Sequence, residues 1–207
     1  MLRGRVGRIL SARMASPDPA PPLLPARGHF LVASPRLLDP NFMHAVVLLC
    51  DHGPQGSYGV IVNRRGDLTL SDLGSDAPLL KGRGDAVWFG GPVGVEQLQV
   101  LHGLGDTVPG SLSVLPGVQL GGDPVVLKKQ LSGKTGNAAP TKFVVGYSGW
   151  GARQLDGELR EGAWVVCPAN TRLVFDAEPG TLWRRVLRAR GAPYADLADI
   201  PPDPTWN

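Results

Sequence analysis

The sequence predicts an α+β domain built on a mixed sheet. Three observations predict it. Short apolar runs rich in β-branched residues outnumber the segments with helical spacing. Those runs occur both as hairpin pairs and as strand–helix units, rather than as a regular alternation of strand and helix. The chain also carries 28 Gly and 20 Pro in 207 residues, which favours many turns and short elements.

Taken in order, His29 to Ser34 reads as a first strand, and Pro35 to Phe42 as a loop broken at Asp39-Pro40. Ala45 to Asp51 is a nearly continuous apolar strand. A Gly/Pro turn joins it to Tyr58–Asn63, which makes an antiparallel hairpin. Thr69 to Leu73 fits one helical turn capped by Ser71 or Thr69. Ala86 to Phe89 is a strand halted by Gly90-Gly91-Pro92. Gln97 to His102 alternates as a half-buried strand should, and Val118 to Leu120 adds a short one. Pro124 to Leu131 is a helix, and Ser132 to Thr141 a polar loop. Ala163 to Cys167 is a strand halted by Pro168. Asn170 caps a short helix through Phe175. The last helix has Pro179 in its first turn, Leu182, Val186 and Leu187 as its apolar stripe, and Gly191 as its stop. The remainder, Pro193 to Asn207, reads as surface tail.

The most informative stretch is Phe143 to Glu158. It starts as a buried strand, is crowded by Gly146, Gly149 and Gly151, and continues with Ala152, Leu155 and Leu159 at helical spacing. Strand, glycine turn and helix can set backbone N–H groups against a ligand. Gly146-Tyr147-Ser148-Gly149 is a displaced G-x-S-x-G, with Trp150 where the last glycine belongs. All four histidines (His29, His44, His52, His102) precede the serine, against the order of that hydrolase fold. Gln154 stands where a dinucleotide fingerprint needs glycine, and no P-loop string occurs.

Charge and cysteine exclude further classes. Residues 1–27 carry Arg3, Arg5, Arg8, Arg13 and Arg27 against Asp18, a net +4, and the other residues sum to −1. The body therefore lacks the basic footprint of a nucleic-acid binder. Residues 1–27 form a basic, Pro-rich tail expected to be disordered, and the domain spans 28–207. The Arg-rich start resembles an organelle presequence; a true start at Met14 is the preferred reading. No run is long and apolar enough to span a membrane as a helix. Cys50 and Cys167 lie in strand-like runs and read as buried free thiols. His44, Cys50 and His52 fall at even spacing, but no ligand cluster of four accompanies them, so no metal and no cofactor is assigned. Trp88, Trp150 and Trp164 read first as core. Arg184, Arg185, Arg188 and Arg190 could touch phosphate, yet a solvated or ion-paired face is the plainer account.

Leu38-Asp39-Pro40-Asn41-Phe42, Gly59-Val60-Ile61-Val62-Asn63, Phe89-Gly90-Gly91-Pro92-Val93, Gly146-Tyr147-Ser148-Gly149-Trp150, Gln154-Leu155-x-x-Glu158-Leu159 and Leu182-Trp183-Arg184-Arg185 together resemble the AlgH/YqgE family of bacterial proteins. The resemblance covers nearly all of residues 28–191. It implies an α+β domain whose sheet is bifurcated, partly barrel-like and flanked by helices, in a cytoplasmic protein. It implies no activity; the family's name reflects a suggested role in transcriptional regulation. Many relatives carry Ala at the position of Ser148, which speaks against a serine nucleophile.

Two functions follow as expectations. The first is a non-enzymatic regulator or binding module that holds a protein partner or small ligand. Its surface would comprise Asn63, Gly90, Gly91, Pro92, Tyr147, Ser148, Trp150, Gln154 and Glu158. On this reading the two glycine corners meet around a hollow, and substituting Trp150 or Glu158 spares the melting temperature. The alternative is an enzyme acting on a small anionic or polar substrate, with Glu158 as base. No membrane partner is expected, and the oligomeric state is left open.

Overall fold

Strand β9, Thr141–Gly151, is the longest in the molecule, and the sheet forks along it. The computed structural model describes residues 21–73, 84–131, 139–176 and 178–200. The Arg-rich start and the first half of the proline segment, the greater part of the 132–141 loop, and the last seven residues lie outside the described residues.

On one edge of β9, its first half pairs in parallel with β5 (Ala86–Phe89) and its second half pairs antiparallel with β3 (Gly56–Ile61). The opposite edge pairs with β6 (Val93–His102). From β3 the sheet continues through β2 (Val46–Gly53) and β1 (His29–Ala33) to β10 (Trp164–Pro168). From β6 it continues through β8 (Val118–Leu120) to β7 (Leu112–Leu115). Among the described residues β4 (Arg65–Thr69) pairs only with β5. The result is one mixed, bifurcated, ten-stranded sheet in a single α+β domain. It curls: a Cβ placed at Gly28, just before β1, would meet the Val114 carbonyl of β7 at 2.8 Å. It does not close, because β10 and β7 end the strand path unpaired with each other.

Alternation along β1, β2 and β3 sorts side chains to two faces. Phe30, Val32, Leu48 and Val60 point into the curl, where Leu182, Val186 and Leu187 of α4 (Pro179–Arg190) cover them. Leu31, Val47, Leu49 and Ile61 point the other way, against Trp150, Trp164 and Leu155 of α2 (Gln154–Arg160). A third cluster forms under α1 (Pro124–Leu131), around Val87, Val100, Leu127 and Phe143. Each such Val or Leu contributes about 2 kcal/mol by leaving water.

Several expectations need correction. The glycines at 146–151 do not turn the chain; they lie in continuous strand. β6 starts four residues earlier than its alternation suggests, because residues 94–97 bulge out between the Val93–Tyr147 and Leu98–Val145 pairs. β4 and β7 were not predicted: β4 is mostly exposed and polar, and β7 is a short run. The single turn at Leu70–Leu73 is held by the Asp72 carboxylate, which accepts from the backbone N–H and hydroxyl of Thr69. The segment after Gly191 is not simply surface. It forms α5 (Tyr194–Leu197), and Tyr194, Leu197 and Ala198 join the core. At the other end Leu23, within the expected tail, packs against the Trp150–Trp164 cluster. Helix α3 (Thr171–Val174) begins as expected, with the Asn170 side chain accepting from Leu173 N–H.

Candidate functional site

The two glycine corners do meet, at the fork of the sheet. Gly90 N–H donates to Val145 O, and Gly90 O accepts from both Ile61 N–H and the Ser148 hydroxyl. A Cβ at Gly91 would sit 2.3 Å from the Tyr147 carbonyl, and one at Gly146 would sit 2.3 Å from Gly91 O. Both glycines have positive φ, +149° and +71°. The segments are thus in backbone contact, with Ser148 wholly buried between them. The hollow expected there is filled by the chain itself. Pro92 is exposed beside it, and Tyr147 packs on Tyr58 with ring centroids 5.1 Å apart.

Trp150, Gln154 and Glu158 gather as expected, but around one another. Glu158 Oε2 accepts from the indole N–H of Trp150 at 2.8 Å and of Trp164 at 2.7 Å, while Oε1 accepts from Gln154 Nε2 at 2.9 Å. Gln154 Oε1 in turn accepts from Gly151 N–H. Two indole donors thus occupy Oε2 and one exposed amide engages Oε1, so the carboxylate is tied into the structure on its Oε2 side.

Asn63 lies elsewhere. Its Oδ1 accepts from Val46 N–H at 2.8 Å and its Nδ2 donates to His44 O at 2.9 Å, which extends the β2–β3 ladder past the strand ends. This pins the turn at residues 39–44. Asp39 O accepts from Phe42 and Met43 N–H, and its carboxylate accepts from Asn41 N–H. Arg64 donates to the carbonyls of Pro40, Asn41 and Met43, and its guanidinium lies 5.7 Å from the Phe89 ring. Phe42 leaves the turn on one side and packs against Trp164 at 5.5 Å and Trp150 at 6.4 Å. His44 leaves on the other and packs against Trp183 of α4, ring centroids 4.5 Å apart and tilted by 48°. Most of the segments that carry the family resemblance therefore touch this turn.

Beside it is a pocket of about 400 Å³, lined by Met43, His44, Asn63, Arg64, Pro179, Gly180, Trp183 and Arg184. His44 occupies the left-handed region, φ +55°, which a side chain with a Cβ rarely adopts. Burial, and then the Arg184 charge, hold its imidazole below the usual histidine range. Burial also lowers Arg64, against the pull of Asp39. Arg185 pairs with Asp176 and Arg188 with Asp199, whereas Arg184 has no carboxylate partner among the described residues. Arg190 reaches the Val166 and Pro21 carbonyls.

Sequence reasoning placed Asn63 near a site but missed His44, Arg64 and Trp183. Even spacing put His44 on a strand face with Cys50 and His52. In the structure it lies before β2, Cys50 is buried in the core, and His52 bonds Ser57. Both cysteines are free, and burial pushes each thiol up to about 12. Among the described residues no set of three His, Cys, Asp or Glu side chains gathers as a metal site requires, and no helix is long and apolar enough to cross a membrane.

A family model described as AlgH-like matches residues 30–195. A UPF0301 protein of Chlorobaculum tepidum is 36% identical over 180 residues, covering 87% of this chain and 95% of that relative. A UPF0301 protein of Thiobacillus denitrificans is 39% identical over 176 residues, covering 83% and 93%. The solution structure of the AlgH protein from Pseudomonas aeruginosa superposes with a TM-score of 0.65 at 28% identity, over 91% of this chain and 98% of that one. A Corynebacterium diphtheriae protein of known crystal structure shares the fold, with a TM-score of 0.67 at 21% identity over 87% and 95% of the two chains.

Proposed function

The chain belongs to the AlgH-like family, and from that premise we propose that it is a non-catalytic binding module of the regulator class, whose site is the pocket between the 39–44 turn and α4. One observation carries the reading: three cationic or donor side chains, His44, Arg64 and Arg184, border a concave space that no carboxylate lines among the described residues. Concave sites with a few convergent polar groups are where ligands usually bind. The enzymatic alternative takes Glu158 as its base. Glu158 Oε2 is engaged by the two indole N–H groups and Oε1 by Gln154, which favours a structural role for it.

A thermal-shift and mass-spectrometric screen of small metabolites tests this. It compares the wild-type chain, a pocket variant (H44A/R184A) and a corner variant (P92A/Y147F). A ligand that stabilises the wild-type and corner proteins but not the pocket variant, and emerges unaltered, is the expected result. Loss of binding in the corner variant alone, or conversion of the ligand to a product, defeats the reading.

A further inference from the structure

The pocket bears directly on what kind of ligand it takes. Its donors arrive from three sides: His44 from the turn, Arg64 from the segment after β3, and Arg184 from α4. Asp39 and Glu178, acidic residues of the same segments, are not among the lining residues. Arg64 has two N–H groups committed through Nη1 and one through Nη2, which leaves its remaining donors and its charge at the wall. Arg184 differs from Arg185 and Arg188 of the same helix in having no carboxylate partner among the described residues. A guanidinium set at a cavity wall without a counter-charge favours an anion in that cavity.

We infer that this pocket recognises the phosphate group of a small molecule, an inference that rests on the binding-module reading above. Arg184, His44 and the uncommitted N–H groups of Arg64 contact the phosphate oxygens, each from its own side. A phosphate offers oxygens in three directions to donors coming from three sides; a carboxylate offers two in one plane. At about 400 Å³ the pocket exceeds what a bare ion fills, so it also holds the group that carries the phosphate. A nucleic-acid polymer is disfavoured, because the chain outside the first 27 residues sums to −1.

The test titrates the full chain with inorganic phosphate, ribose 5-phosphate and citrate at constant ionic strength, followed by calorimetry and by backbone amide and arginine side-chain NMR. Both phosphates are expected to bind saturably and to shift the resonances of His44, Gly180 and Arg184, with the sugar phosphate binding more tightly. R184A should weaken them about tenfold, the value of one charge-assisted contact. R188A, on the same helix but paired with Asp199, should bind as wild type. A second variant, R184Q, guards against misfolding of the first, and melting temperatures accompany both. Silence of both phosphates, or equal binding by R184A, R184Q and wild type, overturns the inference. Citrate binding at the pocket while phosphate is silent overturns the phosphate assignment and leaves the pocket reading standing. Phosphate shifts confined to residues away from the pocket overturn both.

Discussion

Trp150 and Trp164 aim their indole nitrogens at a single atom, Oε2 of Glu158, with their rings 5.8 Å apart at 80°. The carboxylate staples the end of β9, the start of β10 and helix α2 together. Both indole rings are buried, so removing the acceptor leaves two donors unsatisfied. E158A should therefore cost about 3 kcal/mol, and E158Q, which keeps one acceptor oxygen without the charge, about half of that. That contradicts the expectation that Glu158 could be changed at constant melting temperature. Urea unfolding measures it; an E158A midpoint equal to wild type would show that the staple adds nothing.

The glycine fork makes a paired prediction. G146A adds a Cβ 2.3 Å from Gly91 O at a positive φ, so two backbones must separate. Its expected cost is about 3 kcal/mol or more, seen as a low midpoint or poor yield of folded protein. S148A, two residues away, removes one hydroxyl from an acceptor that keeps its bond from Ile61 N–H. It should cost about 1 kcal/mol or less. If the serine change proves the more damaging, the corner is organised by the hydroxyl and not by backbone approach.

How far the sequence could be read depended on the range of the interactions. β1, β2, β3, β9 and α4 were legible because apolar alternation and stripe report burial locally. The fork was not: that β9 pairs with β3, β5 and β6 at once depends on chain segments far apart in sequence. Gly146, Gly149 and Gly151 read as a turn because glycine usually relaxes φ. Here Gly146 serves close approach, and the strand runs on. Glu158 read as a base or binding residue beside a glycine turn, because one of its indole partners, Trp164, sits on the next strand. His44 was invisible as a pocket residue because periodicity assumes regular backbone, and its φ of +55° breaks that assumption.

Asn63 tests whether the turn and the pocket are one unit. Its amide bonds Val46 N–H and His44 O, so N63L should cost about 2 kcal/mol by orphaning a donor and an acceptor. N63D keeps the acceptor toward Val46 but sets an anion against the His44 carbonyl, and should cost a similar amount. In both, amide exchange at Ala45 and Val46 should quicken while that of β10 stays unchanged. Exchange unaltered across residues 44–46 would mean that Arg64 and the bonds to Asp39 hold the turn without Asn63.

Lys142 gives the clearest dependence on pH. It is buried, donates to Val62 O at 2.7 Å and lies 3.7 Å from the centre of the Trp88 ring. Burial lowers its pKa from 10.5 to about 7, with Asp176 pulling weakly upward. Above pH 7 the folded protein has released a proton that the unfolded chain still binds, so stability rises with pH. Below pH 7 both states are protonated, and the cost of burying the ammonium is constant and at its greatest. From about pH 9 the buried thiols of Cys50 and Cys167 work the other way: their unfolded forms ionise while the folded ones, held up near 12, do not. The gain should therefore show between pH 7 and 9, at about 2 kcal/mol, as each pKa unit corresponds to about 1.4 kcal/mol. K142M removes the titrating group and should flatten urea midpoints across that interval. If the wild-type slope survives in K142M, a different group carries it.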